Sequence, residues 1–124
     1  MADDSLQQVY QRITSRIQEK QKQLAQIEAQ ISLHQRETRL AGLTKRELEG
    51  LGNSVPMYKS MGKMFVQETK ADLLADLEKT TTESATMLTA LEKKQKFVKR
   101  ELDDATGNLR DIVMSSQAAA ARAK

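Results

Sequence analysis

The chain contains no cysteine, no tryptophan and a single proline among its 124 residues. The absence of cysteine excludes disulfide bonds and thiol catalysis, and it agrees with a reducing cytosol. The longest apolar run is the alanine tract at 118–121, which is far too short to cross a bilayer. Residues 1–5 show neither the basic start nor the apolar stretch of a secretory signal. We therefore expect a cytoplasmic protein without a membrane partner.

Positive charge is in slight excess, with a net charge of +3, and it is spread evenly along the chain. Proteins that bind nucleic acids usually concentrate positive charge on one surface, because affinity grows with the number of phosphates neutralised. The densest basic cluster is Lys93, Lys94, Lys96, Lys99 and Arg100. Acidic residues border it on both sides, so we interpret it as a solvated face with ion pairs and expect no nucleic-acid partner.

Two long stretches carry a seam of apolar residues spaced alternately three and four positions apart. Such a repeat makes helices supercoil around one another, because the stripe would otherwise rotate away from the partner. The first seam is Leu6, Tyr10, Ile13, Ile17, Lys20, Leu24, Ile27, Ile31, His34, Thr38 and Ala41. The second seam is Leu74, Leu77, Thr81, Ser84, Leu88, Leu91, Gln95, Val98, Leu102, Ala105, Leu109, Ile112, Ser116 and Ala119.

These seams predict a mainly α chain, in which a long antiparallel two-helix coiled coil forms a single domain over 1–124. We expect a first helix over 5–41 that ends at Gly42, and a second helix over 69–118 capped by Thr69. Residues 119–124 are expected to fray. If Ala41 lies beside Lys70, then Leu6 lies beside Ala105, and the second helix continues past the first.

The linker at 42–68 separates the two helices. Thr44 and Glu47 have the spacing of a capping box, which predicts a short helix over 45–51. Residues 56–67 have no helical stripe, and Gly62 lies midway between residues that favour extended chain. This pattern predicts a β-hairpin with strands near 56–60 and 63–67. An isolated two-stranded hairpin is marginal in water, so we expect it to join a larger sheet supplied by other chains.

Where the second helix continues past the first, its apolar side chains are predicted to have no partner in the chain. We call this end of the predicted helix pair the tip. The residues concerned are Leu109, Ile112, Val113 and Met114, and fraying of the first helix would add Leu6, Val9, Tyr10 and Ile13. Exposed apolar surface usually marks an interaction site. A disordered tail, or coverage by another subunit, would account for the same pattern.

Catalytic chemistry has little support in the sequence. A two-helix arm has little interior for a pocket, and no phosphate-cradling glycine loop is present. His34, the only histidine, lies on the seam, where a polar residue helps to fix the register and is a better interpretation than a metal ligand. We therefore predict no enzyme, no metal and no cofactor.

The hairpin string at 57–66, Met-Tyr-Lys-Ser-Met-Gly-Lys-Met-Phe-Val, followed by Lys-Ala-Asp-Leu at 70–73, resembles β-type prefoldin subunits, most closely those of eukaryotes. The string at 43–48, Leu-Thr-Lys-Arg-Glu-Leu, is similar to the linking helix of that group. The specificity of the resemblance rests on residues 43–73, because coiled coils alone would match many proteins.

The resemblance implies a heterohexamer of two α-type and four β-type subunits, whose hairpins form a β-barrel platform. Prefoldin hexamers act as ATP-independent chaperones: they hold unfolded proteins such as actin and tubulin, and pass them to the cytosolic chaperonin. The matching platform positions in this sequence are Val55, Met57, Tyr58, Gly62, Met64, Phe65 and Val66. The tip residues named above would bind the client. A coiled-coil scaffold or tether without chaperone activity is the alternative, but it leaves the hairpin unexplained.

Overall fold

The computed structural model describes the backbone of residues 2–123 and the side chains of 5–122. Helix α1 spans Ala2–Glu49, strand β1 spans Met57–Met61, strand β2 spans Met64–Glu68 and helix α2 spans Lys70–Ala123. Two long helices with an antiparallel hairpin between them confirm the predicted fold class. None of the described helices is both long enough and apolar enough to cross a membrane.

Helix α1 does not end at Gly42, so the predicted break there and the separate helix over 45–51 are wrong. The Thr44 hydroxyl donates a hydrogen bond to the Leu40 carbonyl at 2.9 Å, as in a helix interior, rather than capping a new helix. A glycine inside a helix costs only about 1 kcal/mol relative to alanine. Continuing the helix keeps Leu48 on the seam, where it is half-buried. We infer that α1 continues through Gly42 because the burial of Leu48 offsets the low helix propensity of the glycine.

Helix α2 begins directly after Thr69, as predicted. The Asp72 amide donates a hydrogen bond to the Thr69 hydroxyl at 3.2 Å, which confirms Thr69 as the N-cap. The helix continues beyond the expected end at 118 and includes the alanine tract up to Ala123, because alanine has the highest helix propensity. The predicted frayed segment is therefore helical over 119–123, while residue 124 lies outside the described residues.

The hairpin has the two-residue turn that Gly62 predicts. Its register pairs Met57 with Glu68 and Met61 with Met64. Gly62 has a φ of +63°, and no residue other than glycine has a positive φ in the described part of the chain, so only the first turn residue is left-handed. That is the signature of a type II′ turn. Strand β1 begins one residue later than predicted, since Pro56 has no amide hydrogen to donate to the ladder. Strand β2 also begins one residue later, because Lys63 is the second residue of the turn.

Contacts divide the chain into two compact units. The hairpin unit is Gln30–Leu91, and the terminal unit is Met1–Ala29 with Glu92–Lys124. In the hairpin unit the buried residues are Ala41, Met57, Ser84 and Leu91. In the terminal unit they are Ile27, Val98 and Ala105. Both sets except Met57 lie on the predicted seams, which confirms the heptad assignment.

Polar residues on the seam have different surroundings in the two units. In the terminal unit, Lys20 Nζ lies 3.0 Å from Glu101 Oε2, and both side chains are mostly buried. In the hairpin unit, His34 Nδ1 is buried and makes no hydrogen bond. It lies 3.4 Å from Glu37 Oε2, an approach that does not satisfy hydrogen-bond geometry. The charge that Lys20 places on the apolar seam is thus paired with Glu101. The buried Nδ1 of His34, by contrast, has no hydrogen-bond partner among the described residues.

Candidate binding surfaces

The predicted tip residues come together in the terminal unit, but through a different register from the expected one. Leu6 and Tyr10 line one groove with Ile112 and Val113. The groove has a volume of about 250 Å³, and its lining surface is almost entirely apolar. The prediction that the end of α2 projects beyond α1 without a partner is therefore wrong: Leu6 lies beside Ile112, not beside Ala105.

The cause of this difference lies in the hairpin unit. The Lys70 ammonium donates hydrogen bonds to the carbonyls of Leu51 at 2.9 Å and Glu49 at 3.4 Å. Helix α2 therefore begins beside the end of an α1 that extends to Glu49, not beside Ala41. In the terminal unit, Leu6 lies beside Ile112 rather than Ala105, which is a displacement of about two turns along α2.

Solvent still reaches much of this apolar surface, which we call the tip surface. Five of the eight predicted residues are exposed: Leu6, Val9, Tyr10, Val113 and Met114. Met114 is the most accessible, with 61% of its surface exposed. The other three residues, Ile13, Leu109 and Ile112, are half-buried on the seam between the two helices. The result is a shallow apolar surface on a helix pair, a geometry suited to binding another apolar surface.

The hairpin carries the second set of predicted residues, and the structure leaves most of them uncovered. Val55, Tyr58, Met64, Phe65 and Val66 are all exposed, and Phe65 is 73% exposed. Gly62 forms the turn, and Met57 is buried. Because side chains alternate along a strand, Tyr58 and Phe65 lie on one face of the hairpin and Met64 and Val66 on the other. Both faces therefore present apolar groups, and both outer strand edges are unpaired.

Polar contacts hold the hairpin against the helices of its own unit. Lys59 Nζ lies 3.0 Å from Asp76 Oδ2 of α2. The hydrogen bond to Asp76, together with the negative charges of Asp76 and Glu68, raises the pKa of the Lys59 ammonium above its usual value. Met57 is 7% exposed, so the start of β1 is anchored while the strands near the turn remain free.

Neither surface brings together groups suited to catalysis. Within residues 5–122, no three His, Cys, Asp or Glu side chains are placed to hold a metal ion. The polar groups of the hairpin unit serve to anchor β1 and the start of α2, and the tip groove is apolar. Both surfaces expose apolar area of the kind that usually marks interaction sites.

Sequence reasoning missed one group of exposed apolar residues that lie off the seam. Leu33, Leu40 and Met87 are each at least half exposed in the hairpin unit, and Phe97 is 64% exposed in the terminal unit. Their position relative to the heptads is the signal that could have identified them, since an apolar residue outside the seam has no partner within a helix pair.

Comparisons with known proteins agree with this architecture. The family model described as "Prefoldin subunit" matches residues 11–116. The probable prefoldin subunit 1 of Schizosaccharomyces pombe is 33% identical over 106 residues, covering 82% of this chain and 95% of the relative. The probable prefoldin subunit 1 of Caenorhabditis briggsae is 27% identical over 115 residues, covering 93% and 98%.

A solved structure shows the same fold. The crystal structure of the prefoldin beta subunit from Thermococcus strain KS-1 superposes with a TM-score of 0.74 and 25% sequence identity. The match covers 82% of this chain and 90% of that one. Since the family model spans most of the chain, and both helices and the hairpin have their counterparts in that structure, the chain belongs to the prefoldin subunit family.

Proposed function

We propose that this chain is a β-type subunit of an ATP-independent holdase in the cytosol. Prefoldin subunits are components of a chaperone complex rather than enzymes, and the family membership extends that description to this chain. The β-type assignment is supported by the single hairpin and by the similarity to a prefoldin beta subunit. The partners would be two α-type and three further β-type subunits.

Assembly would use the hairpin. A two-stranded sheet with two unpaired edges and apolar side chains on both faces is marginal in water. Adding it to a sheet formed by other subunits satisfies the free backbone groups and buries the exposed side chains of Tyr58, Phe65 and Val66. The proposed interface residues are therefore Val55, Met57, Tyr58, Gly62, Met64, Phe65 and Val66.

Client binding would use the tip surface, and its exposed apolar groove is the observation that carries the proposal. Unfolded proteins expose apolar segments, which such a groove can bind without a specific sequence. A single shallow groove binds weakly, but several arms acting together raise the effective affinity for one client. The proposed clients are unfolded actin and tubulin, which the complex would then pass to the cytosolic chaperonin.

The test replaces exposed tip residues, so that the seam stays intact. In the assembled complex, Val113→Ser with Met114→Ser should reduce the suppression of unfolded actin aggregation, measured by light scattering. The loss should be partial, with about twice as much complex needed, because the other subunits keep their own arms. Undiminished suppression would show that the tip surface does not bind the client.

A matched control replaces residues of comparable exposure outside the tip, Leu40→Ser with Met87→Ser. This variant should suppress aggregation as the unchanged chain does. Native mass measurement separates the chaperone from a coiled-coil tether, since a tether would form dimers or filaments rather than a closed heterohexamer.

A further inference from the structure

Phe97 lies on α2 in the terminal unit, outside the seam and outside the tip surface. It is 64% exposed, and among the described large apolar side chains only Met64 and Phe65 in the hairpin are more exposed. Its neighbours along the helix, Gln95 and Val98, are half-buried and buried on the seam, so Phe97 is directed away from the helix pair. Neither the coiled coil nor the tip explains an exposed aromatic ring at this position.

The residues around Phe97 are mostly basic. On a helix surface, the neighbours of a residue are those three and four positions away. For Phe97 these are Lys93, Lys94, Arg100 and Glu101, three cations and one carboxylate. Glu101 is already neutralised from the other helix, because Lys20 Nζ lies 3.0 Å and Arg16 Nη2 3.6 Å from its Oε2.

The basic cluster lies within one helical turn of acidic residues, but it forms no ion pair with them among the described side chains. Among the described side chains, no ion pair involves Lys93, Lys94, Lys96, Lys99 or Arg100, so the expected lacing by ion pairs is not formed. The three cations nearest to Phe97 therefore form a small positively charged surface, which Glu92, Asp103 and Asp104 border. We call Phe97 with Lys93, Lys94 and Arg100 the basic–aromatic patch.

We propose that the basic–aromatic patch binds an acidic protein segment that carries an apolar side chain. Charge complementarity selects the acidic residues, and the exposed ring of Phe97 supplies the apolar contact that the lysines alone lack. The patch spans Lys93 to Arg100, which is roughly 11 Å of helix and matches a short peptide. Asp103 and Asp104 follow within one turn and limit the patch to three cations, too few to neutralise the run of phosphates on which nucleic-acid affinity depends.

The binding test uses the full chain assembled with its partner subunits. The probe is a fluorescein-labelled peptide of six residues, with two central leucines between two pairs of glutamates, and binding is measured by fluorescence anisotropy. We expect saturable binding that weakens as salt is raised from 50 to 300 mM, because exposed charges are screened. Phe97→Ser should weaken binding about tenfold, in line with the loss of one buried aromatic contact.

Four comparisons make the result decisive. Lys93→Gln with Arg100→Gln should lower the affinity and flatten its salt dependence, whereas Arg36→Gln with Arg39→Gln, the same loss of charge in the hairpin unit, should change neither. A probe with serine in place of leucine should bind about as weakly as the leucine probe binds to Phe97→Ser. The tip variant Val113→Ser with Met114→Ser should bind the probe normally, so this proposal can fail or succeed separately from the proposed client site.

Several outcomes would overturn the proposal. One is absence of saturable binding, and another is equal affinity of Phe97→Ser and the unchanged chain. Tighter binding of a single-stranded oligonucleotide, with displacement of the peptide, would assign the patch to nucleic acid instead.

Discussion

A substitution at the exposed ring of Phe65 can test assembly of the complex without changing the fold of the chain. Phe65 is 73% exposed, so about three quarters of its surface would become buried in the proposed assembly of the hairpin into a larger sheet. Full burial of a phenylalanine contributes about 1.5–3 kcal/mol, so the remaining part contributes about 1–2 kcal/mol to assembly. Phe65→Asp removes that contribution and places a carboxylate in the interface, at a further cost of several kcal/mol.

The combined cost should weaken incorporation into the complex by about a thousandfold or more. The chain itself should keep its fold, because a substitution at an exposed strand position changes stability by about 1 kcal/mol or less. Co-expression with a tagged partner subunit measures incorporation, and circular dichroism of the purified variant measures helix content. We expect loss of co-purification with unchanged helicity.

Phe97→Asp provides the matched control. The same chemical change is made at a side chain that is 64% exposed but lies on α2, outside the hairpin. It should leave assembly unaffected. Recovery of the Phe65→Asp and Phe97→Asp chains in the hexamer at equal yield would refute the assignment of the hairpin to the interface.

Three further predictions concern stability and are measured by urea unfolding of the chain. Gly42→Ala should raise the free energy of unfolding by about 1 kcal/mol, since the helix is continuous there and nothing lies within 4 Å of the added methyl group. Gly62→Ala should lower the free energy of unfolding, because the φ of +63° at this position is unfavourable for alanine. His34→Leu should raise it by about 1 kcal/mol by removing a buried nitrogen without a hydrogen bond. The raised pKa of Lys59 makes its pairing with Asp76 fully stabilising below pH 10.5, and the benefit should disappear as pH rises through the higher folded-state pKa. Asp76→Asn should reduce that pH dependence and leave only the smaller part due to Glu68, and an undiminished dependence would contradict the assigned pair.

The heptad pattern predicted the fold because it reports directly on burial. Seam positions such as Ile27, Val98 and Ala105 are buried, and the turn at Gly62 has the geometry that its residue type allows. Both signals are local: a side chain on the seam contacts the partner helix, and a left-handed turn residue favours glycine.

The end of α1 could not be predicted from local signals, because these compete with packing farther along the chain. Gly42 and the Thr44–Glu47 spacing both indicate a helix boundary, but the seam continues to Leu48 and its burial outweighs them. This single error then displaced the pairing of the two helices. Five of the eight residues predicted for the tip are exposed, but not because α2 projects beyond α1. Leu6 and Tyr10 lie beside Ile112 and Val113, so the end of α2 does have a partner helix.

The limited burial within each unit explains why this chain exposes so much apolar surface elsewhere. A pair of helices shares one narrow seam, and among residues 5–122 no large side chain is fully buried. The seam must also accommodate polar residues such as Lys20 and Ser84, which further limits the apolar area that folding can cover. The hairpin, the tip surface and Phe97 remain uncovered because two helices offer no second layer. Exposed apolar groups on such a scaffold are available for other chains, so each of the three surfaces is best tested by binding or assembly, with stability of the chain as its control.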